Sequence, residues 1–167
     1  MLKIEFKLLF FLGFFSFLTS SCVSTSKSSS SSKVSAEVKM RQNIINYAKK
    51  YQGIKYKYAG KDPKGFDCSG FTYYVFKNFD VSLSGSSSAQ SKQGKEIPLA
   101  KAQQGDLIFF GRNGRTGKIQ HVGLVYKNTD EGLFMIHSSS KRGIVIDNVT
   151  TSKYWKPKIL YTRRVIP

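Results

Sequence analysis

Apolar residues in "SAEVKMRQNIINYAKKYQG" recur at helical spacing, with Met40, Ile44, Tyr47, Ala48 and Tyr51 on one face. Ser35 is placed to cap the start of this helix and Gly53 to end it. The next stretch, "IKYKYAGKDPKG", is rich in Gly, Pro and Lys and reads as a loop. A second helical period opens at Cys68, where Phe71, Val75 and Phe79 make an apolar stripe. Ser86 to Gly94 predicts a short polar helix. After Gly105 the period changes. "DLIFFG", "HVGLVY", "GLFMIHS" and "GIVIDNV" are short apolar or alternating runs parted by Gly, Asn, Asp and Ser, and they read as strands with turns. "ILYTRRVI" fits a last strand. Helices first and strands after predict an α+β fold, an antiparallel sheet against a helical layer.

A different apolar pattern precedes all of this. Lys3 and Lys7 lead into "LLFFLGFFSFL" (Leu8 to Leu18), followed by small polar residues and Cys22. A bilayer-spanning helix needs about 20 apolar residues, so this run is too short to be a permanent anchor. Charged start, apolar centre and small-residue end mark residues 1–21 as a signal peptide. A cysteine directly after Ser21 resembles a bacterial lipobox, in which cleavage leaves Cys22 as a lipid-modified N-terminus. Leu18 sits four residues before the cysteine rather than the commoner three. The alternative is ordinary secretion with Cys22 incidental, and both readings export the protein. From Val23 to Ser35 the chain is mostly serine, so residues 22–35 read as a lipidated cysteine plus a flexible linker, with roughly 20 Å of mean reach. Residues 36–167 are then the exported domain.

Charge narrows the partners. Net charge is +17, a balance that commonly signals nucleic acid. An exported protein does not normally meet nucleic acid, so acidic polymers of the cell envelope, including wall peptides with free carboxylates, are the expected counter-surface. The basic residues are scattered rather than blocked, so a merely solvated face fits them as well.

The chain has two cysteines and two histidines. Asp67 is placed to cap the second helix, which puts Cys68 in its first turn, where unpaired N–H groups and the helix dipole favour a thiolate. His121 and His137 each fall in a strand-like run. A hairpin turning near Asp130–Gly132 would set the two side by side; His121 would take the thiol proton and His137 would fix the His121 tautomer. Each residue alone has a plainer reading. Strand histidines are commonly structural, and a metal site built on Cys68, His121 and His137 would lack a close ligand pair such as CxxC or HxxxH. A Cys22–Cys68 disulfide would compete with lipidation for Cys22. The combination favours catalysis with no metal or other cofactor.

At this point the residues resemble a known family. "YKYAGKDPKGFDCSGF", "QGDLIFFG", "QHVGLVY" and "MIHSSS" stand in the order and spacing of the NlpC family of bacterial cell-wall cysteine peptidases, from about Met40 to Ile166. The leader is similar to that of its lipoprotein murein endopeptidases. The resemblance implies a papain-like α+β core, with Cys68 as nucleophile, His121 as base and His137 as orienting residue. It implies Tyr56 beside the active site, the Cys68 backbone N–H as oxyanion donor, and Asp67 and Ser69 as substrate contacts, unless Asp67 is only a cap. Two departures stand out: Ala59–Gly60 where relatives often carry Gly-Gly, and Ser84–Gly85–Ser86 where many carry Pro-Arg before the next helix.

The resulting expectation is a lipid-anchored hydrolase in the cell envelope, on the outer membrane facing the periplasm. It would cut an amide in peptidoglycan stem peptides through a thioester, either γ-D-glutamyl–diaminopimelate or a peptide cross-link. An amidase or acyltransferase on the same fold, and a non-catalytic wall-binding module, are the rival readings.

Overall fold

The computed structural model describes residues 28–112 and 118–166. The expected signal peptide, Cys22 and the first part of the serine-rich stretch lie outside the described residues. Helix α1 (Ser28–Lys49) is followed by a small hairpin of β1 (Lys61–Asp62) and β2 (Gly65–Phe66), then α2 (Cys68–Lys77) and α3 (Ser87–Gln90). Six further strands follow: β3 (Lys95–Ile97), β4 (Leu107–Gly111), β5 (Ile119–Thr129), β6 (Gly132–Ser139), β7 (Gly143–Asn148) and β8 (Ile159–Arg164). They form one antiparallel sheet in the order β3-β8-β4-β5-β6-β7. This is the expected α+β arrangement.

Three local expectations change. Ser35 lies inside α1 rather than at its cap, and Ser28–Ser35 is helical rather than a loose linker. No Gly or Pro interrupts 28–49, and serine is only about 0.5 kcal/mol poorer than alanine per helical residue, so a helix anchored further on propagates back through them. The Gly/Pro/Lys stretch holds the β1–β2 hairpin, whose turn at Pro63–Lys64 is fastened by Lys64 N–H donating to Asp62 Oδ1 at 2.8 Å. The polar helix after Ser86 is confined to Ser87–Gln90, with the Ser86 hydroxyl accepting from Ala89 N–H at 3.3 Å.

The sheet is covered on both faces, which is why β4 is buried at every position. Leu107 and Phe109 point toward α1 and α2, packing with Ile44, Ile45, Phe71, Val75 and Phe76. Ile108 and Phe110 point the other way, into a second cluster with Val125, Leu133, Met135 and Val149, closed over by Trp155 and Ile159. Alternation along a strand thus feeds two cores. Asp106, fully buried, fastens α1 to the sheet: it accepts from Arg41 at 3.1 Å, from Arg164 at 3.0 Å and from the Gln103 N–H at 2.9 Å. Arg41 also bonds Glu37 at 2.7 Å one turn earlier.

Candidate active site

Asp67 caps α2 as its sequence position predicts. Its backbone is extended and its carboxylate accepts from Gly70 N–H at 2.6 Å, which starts the helix at Cys68. Gly70 has to be glycine for a separate reason. A side chain there would drive into the Gly60 carbonyl, so the helix can lie this close to the preceding turn only without a Cβ. Gly60 and Asp67 are joined in turn by a backbone bond of 3.0 Å from Asp67 N–H to Gly60 O. Loop, turn and helix start form one tightly packed unit that aims Cys68.

Cys68 carries a free, half-buried thiol that lines a cleft of about 860 Å³, within the size range of small-ligand sites. Burial pushes the thiol up from its ordinary value and the Asp67 carboxylate adds to the effect; the N–H groups of Val122, Ser69 and Cys68 itself pull the other way. The helix N-terminus therefore offers the donors that the sequence suggests, but burial outweighs them. The balance of these effects favours the protonated thiol over the thiolate.

The histidines come from the β5–β6 hairpin, which turns at Thr129–Gly132 as expected. His121 Nε2 lies 3.0 Å from His137 Nδ1. His121 precedes Val122, whose N–H faces the thiol, and it lines the cleft with Cys68. Its ring stacks on Trp155 with centroids 5.0 Å apart and planes inclined by 26°. Burial, and next the neighbouring His137, lower its basicity from the ordinary imidazole range to about 3. His137 is fully buried behind it.

His137 Nε2 is 3.0 Å from Asp147 Oδ2 on β7. The same oxygen accepts from Trp155 Nε1 at 3.0 Å and from Arg142 Nη2 at 2.6 Å, while Arg142 Nη1 reaches Oδ1 at 3.1 Å. These bonds, with that from His137 the strongest, hold the Asp147 carboxyl well below the usual carboxylate range. Asp147, Arg142 and Trp155 were not singled out in the sequence. A signal existed: Asp147 is the lone acid in "GIVIDNV", and period 2 in paired strands places it on the His137 face.

Tyr56 joins Cys68 and His121 in the cleft wall, held by a parallel bridge to Phe66. Burial, then the nearby Asp67 and Cys68, push its phenol up, so it stays a hydrogen-bond donor. Asp67 and Ser69 are engaged with each other, Ser69 Oγ donating to Asp67 Oδ1 at 3.0 Å, and neither is among the residues that wall the cleft. The cleft lining is also basic, with Arg112, Lys141, Arg142 and Lys158 alongside Tyr154 and Trp155. Among the described residues, no helix is long and apolar enough to cross a membrane.

Solved proteins share this fold. A structure of an NlpC/P60 family protein from Bacillus cereus superposes with a TM-score of 0.70 at 32% identity, covering 76% of this chain and 40% of that one. The NlpC/p60 domain of the peptidoglycan hydrolase SagA superposes with a TM-score of 0.61 at 30% identity, covering 74% of this chain and 97% of that one. In sequence, the chain is 35% identical over 123 residues to the gamma-DL-glutamyl hydrolase of Bacillus subtilis, covering 73% of this chain but only 29% of that protein. It is 32% identical over 130 residues to the murein DD-endopeptidase MepS/murein LD-carboxypeptidase of Escherichia coli, covering 77% of this chain and 65% of that one. Residues 53–164, which hold Tyr56, Cys68, His121, His137 and Asp147, match the NlpC/P60 family, and the chain belongs to it.

Proposed function

We propose that the protein is a peptidoglycan hydrolase, a cysteine peptidase that cuts an amide bond in cell-wall stem peptides. The observation that carries this reading is the cleft that exposes Cys68 beside His121, with His121 bonded to a buried histidine. Binding alone requires no such set. Cys68 Sγ attacks the scissile carbonyl while His121 takes the thiol proton. Because the thiol is pushed up and His121 down, that transfer accompanies attack instead of preceding it. The negative charge on the carbonyl oxygen falls to the Cys68 backbone N–H and the Tyr56 hydroxyl; one such donor is worth about 10²–10³ in rate. The proton passes from His121 to the departing amine, leaving a thioester, and a water activated by His121 then releases the acid and the thiol.

The basic lining supports a substrate rich in carboxylates, as stem peptides are. The bond is either the γ-D-glutamyl linkage to the diamino acid or a cross-link between peptides; relatives are named for each class, gamma-D-glutamyl-L-lysine dipeptidyl-peptidase and murein DD-endopeptidase. Cys22 would anchor the domain by lipid in the cell envelope, on the outer membrane facing the periplasm. Digestion of defined muropeptides, with products identified by mass spectrometry, tests the reading. A stem peptide cut by the wild type and spared by a folded Cys68→Ala variant is the expected result. Cleavage by that variant, or wall binding without any cleavage by the wild type, would end it.

A further inference from the structure

We propose that Asp147 is a positioning residue that sets the base: through His137 it fixes the tautomer of His121, and Arg142 balances its charge so that it orients without adding a proton. The inference rests on His121 being the base in the proposed reaction, and it follows from bookkeeping of hydrogens along one chain of bonds.

The chain runs from Arg142 through Asp147 and His137 to His121. Asp147 is an ionised carboxylate and can only accept. His137 Nε2, at 3.0 Å from it, must therefore be the end that carries hydrogen. A neutral His137 then has a bare Nδ1, which must accept across the 3.0 Å contact from His121 Nε2. With its hydrogen on Nε2, His121 has a bare Nδ1, the only nitrogen left to take a proton from the thiol. Reversing the His137 tautomer would put hydrogen on His121 Nδ1 and leave no base. His137 is fully buried, so solvent cannot stand in for Asp147. The relay does not end at the second histidine.

Two further contacts make Asp147 rigid. Trp155 donates Nε1–H to Oδ2 and also stacks its ring on His121, so one side chain holds both ends of the relay. Arg142 grips both carboxylate oxygens, and its bidentate geometry fixes the plane of the group. A lone carboxylate here would favour an imidazolium, with hydrogens on both nitrogens of His137 and the wrong tautomer next door. The guanidinium cancels that pull. Besides Asp147 from β7, the titratable or charged side chains of the cleft are Cys68 from α2, Tyr56 and Tyr154, and the cations Arg112, Lys141, Arg142 and Lys158.

Only two histidines occur in the chain, so histidine-selective ¹⁵N NMR of the full protein resolves both rings. At pH 7 both are expected as the Nε2–H form with Nδ1 unprotonated. Either ring found as Nδ1–H in the wild type would overturn the proposal without reference to any variant. Asp147→Ala is expected to lose that preference and to lower kcat on a muropeptide about 10²-fold with KM little changed. A kcat within twofold of wild type would refute it. Arg142→Met is expected to move the acid limb of kcat/KM upward by about one pH unit, since the carboxylate is no longer balanced; an unmoved limb would refute the balancing role. The tautomers are read without turnover. Failure of the relay is thus distinct from failure of the peptidase reading, which Cys68→Ala decides.

Discussion

Acid should loosen this fold through His121 before it attacks most carboxylates. The unfolded imidazole titrates near 6.5, whereas burial and the adjacent His137 hold the folded one at about 3. Between those values the unfolded chain binds a proton that the native chain refuses. Stability from this group is therefore intact above about pH 6.5 and is lost as pH falls toward 3. At pH 5 the difference in binding amounts to about 2 kcal/mol, from RT ln[(1 + 10^1.5)/(1 + 10^−2)]. The ring is partly open to the cleft, so this figure is an upper bound. For a domain of this size it corresponds to a fall in Tm of roughly 4–8 °C between pH 7 and pH 5. Asp147, whose carboxyl is also held down, adds loss of the same sign only below about pH 4. Thermal melts by circular dichroism at pH 7, 6, 5 and 4, for wild type and His121→Gln, measure the effect. The wild type should lose Tm steeply over that range and the variant much less. Parallel curves for the two would show that His121 titrates normally in the fold and would refute the reasoning.

Three further outcomes follow from other contacts. Alkylation of Cys68 by iodoacetamide should keep accelerating with pH to above the ordinary thiol value of about 8.5, because burial favours the protonated form; a rate already on its plateau at pH 6.5 would mean a preformed thiolate. Gly70→Ala should cost about 3 kcal/mol or prevent soluble expression, since the added methyl has to displace the Gly60 carbonyl, and an unchanged urea midpoint would refute the close approach. Asp106→Ala should cost about 3–5 kcal/mol by leaving Arg41 buried without its sheet partner, again read by urea melts; a loss under 1 kcal/mol would mean that the two arginines find water instead.

What the sequence made legible was local. The cap at Asp67, the helix it opens, the two histidine strands and the turn between them each depend on residues within one element or one hairpin, and each is where periodicity put it. What it hid depends on distant partners. Strand β3 has three residues, Lys95–Ile97, and exists because Ile97 pairs with Thr162 far along the chain. Ser35 looked like a cap because nothing local says how far a helix anchored at Arg41 and Ile44 will extend back. The end of α2 is local and favours a thiolate, whereas the burial that opposes it comes from packing the sequence does not display. Asp147 is hidden in the same way: an acid on a strand is ordinarily a solvated one, and only the β6–β7 register brings it to a buried histidine.

Strand β8 has a consequence for the order in which the molecule assembles. Strands β4 to β7 form a meander of neighbouring hairpins, and His121, His137 and Asp147 all lie within it, so the relay needs only short-range closures. The sheet is different at its other end. β8 inserts between β3 and β4, and Arg164 on it completes the bonds to Asp106. Until residues 159–164 arrive, β4 is an open edge whose sequence is "LIFFG", apolar on both faces. Such an edge is a template for pairing with other chains. A nascent or truncated chain lacking β8 would hold a nearly finished relay on an adhesive, half-closed sheet, and it would be lost to aggregation and proteolysis before it could act.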